Sequence, residues 1–212
     1  METSLPDQNG IATHRQVRAY GHELLRRNVV EVADRLLREE GPDALTVRRV
    51  AERLDCSTKI IYTMFKGKDG LAEALYLEGC SGLAQAMARV PKAATPAAYL
   101  RAVAFAYWTF ALANPGYYMV MFGGAIPHYQ PSATSIHTTA TAFEIIVEML
   151  QSYRQEQALS VDDLALLMQT LWAALHGVVS LHLQGHLASL EEANVVFERT
   201  VESLLASLVS TL

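Results

Sequence analysis

"LTVRRVAERLDCSTKIIYTMFKGKDGL", residues 45–71, is the stretch whose reading decides the fold. Thr46 offers a hydroxyl N-cap to a short helix in which Val47, Val50, Ala51 and Leu54 recur at i, i+3, i+4 and i+7. Asp55 stops it. After the tight turn Leu54–Asp55–Cys56–Ser57, Ser57 can cap a second short helix over about 58 to 65, with Ile61 and Phe65 facing inward four residues apart. Lys66–Gly67 breaks that helix, and a longer one carrying Leu71, Leu75 and Leu83 is predicted from Lys68 to about Ala88. The second short helix is too short and too polar outside for core burial to explain it. It leaves Thr58, Lys59, Tyr62 and Thr63 exposed.

Upstream, a helix is predicted from Gly21 to Glu40, with Val29, Val32, Ala33, Leu36 and Leu37 as its apolar stripe and Gly41–Pro42 as its end. Residues 1–19 read as a disordered polar lead-in without a secretory signal. Downstream, helices are expected over 96–113 and 115–122, split by Asn114–Pro115–Gly116, then a loop over 123–135 and a long helix over 136–157. Ser160 with Asp163, and Ser189 with Glu192, open final helices over 161–186 and 190–210. No segment alternates with period two between hairpin turns, so the expected class is all-α. The predicted domains are a helix-turn-helix, three-helix unit over 20–70 and a second helical domain over 71–212.

The chain has 212 residues, is 51% apolar and carries a formal net charge of −5. It has no run of 18 apolar residues, so no membrane partner is expected and the predicted location is the cytoplasm. The charge is uneven: residues 1–68 hold 12 Lys/Arg against 10 Asp/Glu, while residues 69–212 hold 5 against 12. An acidic chain with a basic first quarter is the asymmetry expected when one part meets an anion. Cys56 and Cys80 are too few for a disulfide framework or a four-ligand zinc site and read as packing residues. No cofactor is expected. The sequence has no G-x-S-x-G elbow, phosphate loop or H-E-x-x-H motif, which argues against an enzyme.

Two short helices around a tight turn have the spacing of a helix-turn-helix, whose second helix lies in the DNA major groove. The stretch 45–71 resembles the N-terminal signature of TetR-type transcriptional regulators, in Leu45–Thr46, Ala51, Ser57, Tyr62, Phe65, Lys68–Asp69 and Leu71. Asp55 stands where that family usually has glycine, and Met64 replaces its usual histidine or tyrosine. The resemblance implies that Tyr62 and Lys68 clamp phosphates of a double-stranded DNA operator, fixing register and giving salt-dependent affinity. Thr46 and Ser57 stand at helix N-termini, where a hydroxyl can cap the helix, meet phosphate, or do both. Base reading falls to Thr58, Lys59 and Arg48, with Thr63 on the same exposed face. For Arg48 and Arg49 an ordinary solvated helix face is the competing reading.

"FAYWTFALANPGYYMVMFGG", residues 105–124, concentrates Phe105, Trp108, Tyr118 and Phe122 with further aromatics and two methionines. This reads either as a filled core or as the lining of a small-molecule cavity. Residues 171–186 place Trp172, His176 and Gly177 at i, i+4 and i+5, and resemble the C-terminal regulatory domain, named for those three residue types, of some TetR-type proteins. That resemblance implies an effector-binding and dimerising domain over about 96–211, and the aromatic lining suits a small hydrophobic effector, with Phe105, Trp108, Tyr118, Phe122, Trp172 and His176 as candidate contacts. His176 reads also as a hydrogen-bonded core histidine, and Gly177 as a point of close helix approach. His182 and His186 share a face but lack a third ligand, so no metal is expected. The last two helices carry stripes (Leu164, Leu167, Leu171, Leu175, Val178, Leu181; Val195, Val196, Val201, Leu204, Leu205, Leu208) suited to a homodimer interface. The expected function is a ligand-responsive transcriptional regulator, a repressor released from a palindromic operator. The alternative is an effector-blind DNA-binding or interaction protein whose aromatic cluster is solid core.

Overall fold

The computed structural model describes residues 13–93, 95–142 and 161–210. Among them every regular element is helical. In order these are α1 (His14–Glu40), a 3₁₀ turn (Pro42–Ala44), α2 (Val47–Arg53), α3 (Thr58–Phe65), α4 (Lys68–Ala88), α5 (Pro96–Ala113), α6 (Pro115–Phe122), α7 (Ala133–Ala142), α8 (Val161–Leu183) and α9 (Leu190–Ser210). The chain divides into two compact units, Met1–Leu75 and Tyr76–Leu212, at a boundary inside α4.

In the first unit, α1 begins at His14 rather than Gly21, so residues 14–19 of the expected lead-in are helical. The cause is a capping box: Thr13 and Gln16 exchange side-chain-to-backbone hydrogen bonds at 3.3 Å and 2.8 Å. Only the second half of α1 is packed, through Val29, Val30, Ala33, Leu36 and Leu37. Gly41 ends it at a φ of 82°, donating its N–H to the Leu37 carbonyl. Thr46 caps α2 as its hydroxyl predicts, accepting the Arg49 N–H at 3.2 Å. Asp55 takes the left-handed turn position at φ 49°, which an aspartate tolerates where glycine is more usual.

The junction of α3 and α4 is more constrained. Lys66 and Gly67 follow at φ 64° and 126°, reversing the chain, and a Cβ placed on Gly70 would lie 1.7 Å from the Phe65 carbonyl oxygen. Only glycine fits there. The end of α3 therefore rests directly on the first turn of α4.

In the second unit, α5 and α6 have the limits expected from the sequence, with Thr95 capping α5 at the Ala98 N–H and Pro96 and Pro115 in the first turns. The next helix starts at Ala133, earlier than 136; residues 143–157 of its expected span, and Ser160, lie outside the described residues. α8 stops at Leu183 rather than 186, where Gly185 turns the chain at φ 75°. Ser189 accepts the Glu192 N–H at 3.1 Å, while the Glu192 carboxylate reaches Ala188 at 2.7 Å, one residue before the expected partner. α9 packs on α8 and α5. Cys80 is buried, which pushes its thiol up to about 11 against hydrogen bonds from Tyr76 and Thr139, so it packs as a neutral group.

Gly70→Ala is expected to destabilise the first unit by about 1–3 kcal/mol, the usual cost of overpacking. Gly21→Ala, whose added Cβ meets nothing within 4 Å, should not lower stability. Urea unfolding of the two variants checks this; equal midpoints would refute the close-approach argument.

Candidate functional site

Two places concentrate chemistry, one in each unit. The first is the outer face of α3. Ile61 and Phe65 point into the core, so helical periodicity turns Thr58, Lys59, Tyr62 and Thr63 outward, and all four are exposed along with Ser57. Tyr62 is 54% exposed, a high value for a tyrosine on a helix of eight residues. Ser57 occupies the N-cap position, but its hydroxyl makes no capping bond, unlike that of Thr46. The Thr63 hydroxyl donates to the Lys59 carbonyl at 2.8 Å. Thr46 and Lys68 are half-buried and Met64 is partly covered.

Charge on this face is sorted by pairing. Arg48 donates to Glu52 at 2.8 Å, while Arg49 and Arg53 reach across to Glu40 on α1 and Arg53 also meets Glu39 at 3.4 Å. Among the described residues Lys59, Lys66 and Lys68 make no ion pair. The Arg48–Glu52 pair is exposed, so a competing anion displaces it at small cost. Three lysines around α3 are thus open to an anion, and the α2 arginines are held by carboxylates.

The second place is an apolar cavity of about 340 Å³. Its walls come from α4 (Leu83, Met87), α5 (Leu100, Val103, Ala104, Tyr107), α6 (Phe122), α8 (Met168, Leu171, Trp172, Leu175) and α9 (Val201, Leu204, Leu205). Of the six expected effector contacts, Phe122 and Trp172 are on this wall. Phe105 and Trp108 are elsewhere: both pack on the fully buried Phe197, Trp108 stacking at 4.5 Å and donating its indole N–H to Asn194 at 2.8 Å. That cluster is solid core.

Tyr118 and His176 lie behind the wall in a polar chain. Tyr107 and Tyr118 hydroxyls are 2.6 Å apart, Tyr118 is 2.6 Å from His176 Nδ1, and His176 Nε2 is 3.2 Å from the Ser180 hydroxyl. The Trp172 indole N–H, which can only donate, also acts on the Tyr107 hydroxyl. Each bond from Tyr107 through to Ser180 can run in either direction, the His176 tautomer setting which way the protons point. Burial pushes Tyr107 up to about 12, opposed by its two hydrogen bonds, and raises Tyr118 as well; burial also lowers His176. The chain is neutral, and its hydrogen bonds run among its own members behind the wall.

The sequence reading missed most of the wall, because its leucines were read as stripes that pack within the monomer and also present a face to a partner, not as the lining of a cavity. Leu171, Leu175, Val201, Leu204 and Leu205 face the cavity, and Val178 is buried within the unit. The side chains of Leu164, Leu167 and Leu208 lie outside the described ones. The large apolar groups exposed on these two helices among the described residues are Leu181 and Val195, which belong to the expected stripe, with Leu166, Trp172 and Leu190. A Cβ on Gly177 meets nothing within 4 Å, so among the described residues no helix of this chain makes the close approach there. Among the described residues no group of three metal-ligating side chains assembles around His182 and His186, and no helix is long and apolar enough to cross a membrane.

Two family models match the chain: "Bacterial regulatory proteins, tetR family" over residues 29–75 and "Tetracyclin repressor-like, C-terminal domain" over residues 100–204. No curated protein sequence matches. Among solved structures, a protein with unknown function from Rhodococcus sp. RHA1 superposes with a TM-score of 0.72 at 20% identity, over 95% of this chain and 98% of that one. The transcriptional regulator FadR from Bacillus subtilis, solved in complex with stearoyl-CoA, gives 0.69 at 15% identity, covering 84% and 97%. The TetR family transcriptional regulator PfmR from Thermus thermophilus gives 0.64 at 20%, covering 84% and 97%. At such identities the structures speak for the fold alone.

A histidine held neutral by burial takes up a proton on unfolding once the pH drops below its ordinary value of about 6.5. The unfolded state then binds more protons, so stability is flat above that pH and falls as the pH drops below it. His176→Asn should remove this slope, which unfolding free energies measured between pH 5 and 8 would reveal. Tyr118→Phe should cost about 1–3 kcal/mol by stranding two buried partners.

Proposed function

The chain belongs to the TetR family of bacterial transcriptional regulators, and from that premise we propose that it is a homodimeric repressor released from a palindromic DNA operator by a small hydrophobic effector. The observation that carries the effector-responsive part is the apolar cavity of about 340 Å³ inside the regulatory unit. A space of that size, at the lower end of ligand pockets, suits a chain-like or compact hydrocarbon group. The FadR relative, solved with stearoyl-CoA, supports an acyl-like class for the apolar portion. The cavity favours this reading over the alternative, an effector-blind DNA-binding or interaction protein, which the solid packing of Phe105 and Trp108 on Phe197 favours.

On the DNA side, Thr58, Lys59 and Arg48 read base edges, with Thr63 beside them. Tyr62 and Lys68 hold phosphates, and the free Ser57 hydroxyl and the capped Thr46 mark the two helix starts toward the strands. A single short helix makes too few contacts for specificity, so two copies related by symmetry read half-sites about 34 Å apart or a multiple of that. The last two helices pair the subunits, through the exposed groups Leu166, Leu181 and Val195 and the open surface at Gly177. An effector that prefers one dimer geometry by about 1–3 kcal/mol changes operator affinity roughly 5- to 150-fold.

Selection of bound duplexes from a random pool, with and without medium-chain hydrophobic compounds, tests the proposal. Lys68→Ala should weaken all sequences alike and flatten the salt dependence, whereas Lys59→Ala should change the selected base preferences. Ala104→Phe, which fills the cavity, should leave DNA binding intact and abolish release by the compound. Release that persists in that variant would place the effector elsewhere.

A further inference from the structure

One stripe runs the whole length of α1 and changes chemistry halfway. Arg15, Arg18, His22 and Arg26 follow one another at spacings of three, four and four residues, and Val29, Ala33 and Leu36–Leu37 continue the same line. The apolar half is buried in the three-helix unit. The basic half is not: residues 14–24 are all exposed, so α1 overhangs its own core by several turns. The overhang carries the core-facing stripe with it, and that stripe is there cationic.

The place where packing ends is marked. The Arg26 guanidinium lies 5.0 Å from the centroid of the Phe65 ring, at the end of α3, so the basic stripe starts beside the candidate DNA-facing helix and runs away from it. At a rise of 1.5 Å per residue, Arg18 and Arg15 lie roughly 12 and 16 Å further along the axis. The overhang holds one acid, Glu23, and it is paired with Arg27, off the stripe, at 3.2 Å. Among the described residues Arg15 and Arg18 have no ion pair. In a chain of net charge −5, two unpaired arginines one turn apart on a capped, unpacked helix have no structural task in the fold. A helix face of this charge, reaching the end of α3 at Phe65, suits a sugar-phosphate strand.

We infer that the exposed first half of α1 is a second DNA-contacting element, in which Arg15 and Arg18 hold backbone phosphates outside the half-site read by α3. This rests on the reading of α3 as the DNA-facing helix. The contact widens the footprint and adds affinity without adding base preference, because phosphates carry no direct sequence code.

The test uses the full-length chain and a duplex from the selection above, with binding followed by fluorescence anisotropy over a range of salt concentrations. Because the proposed dimer carries both arginines twice, the double variant Arg15→Ala/Arg18→Ala is expected to flatten the slope of log affinity against log salt by about 3.6, four phosphates at about 0.9 each, and to weaken binding roughly 100-fold or more near 0.1 M salt. Its selected base preferences should equal those of the unaltered chain. Arg15→Lys/Arg18→Lys should keep the slope, and Tyr20→Ser, on the opposite face, should change neither quantity. An unchanged slope in the alanine variant overturns the inference, as does an equal loss in the Tyr20 variant, which would make helix integrity the cause. If the unaltered chain binds no duplex at all, the reading of α3 falls and this contact with it, an outcome distinct from both.

Discussion

The close contact between the Phe65 carbonyl and Gly70 is the constraint on which the first unit turns. Phe65 is buried, its ring lies under Arg26, and its backbone oxygen occupies the space a Cβ on Gly70 would need. Together with the left-handed Lys66, this leaves α3 one way to leave the core. Because Ile61 and Phe65 are pinned inward, the opposite side of a two-turn helix has to face out whatever residues it carries. The residues it carries are threonines, a lysine and a tyrosine, which gain nothing from burial and suit a hydrated polyanion.

The second unit separates two jobs that its aromatic residues share on paper. Trp108, Phe105 and Phe197 interlock as core, with Asn194 satisfying the one buried indole N–H. Trp172, Phe122 and Tyr107 border the cavity, and the hydroxyls and imidazole behind them form a closed hydrogen-bonded chain. A polar chain with every member satisfied holds its side chains in place without presenting a charge to the space they border.

Local chemistry made much of this readable. Thr46, Gly41, Thr95, Pro96 and Pro115 each act through their own backbone geometry, and the helix limits they set agree with the expectations. The exposed face of α3 follows from two inward residues. The cavity did not follow, because an apolar residue on a helix reads the same whether it meets another side chain, a partner or a void. Leu171, Leu175, Leu204 and Leu205 are the instance: their spacing announced a buried stripe, and only the packing of α5 against α8 and α9 decided what lay opposite. The start of α1 was lost for a different reason. Its first turns are polar and carry no core stripe, so nothing but the Thr13–Gln16 box signals a helix.

The polar groups behind the cavity wall bond to one another, so the space itself is bordered by hydrocarbon. A wall of hydrocarbon would rank an occupant chiefly by the apolar surface it buries. Each buried methylene contributes about 0.8 kcal/mol, close to a fourfold gain in affinity. For the effector class proposed above, affinity would rise carbon by carbon across a homologous series until the volume is filled, which would make the cavity a ruler of chain length.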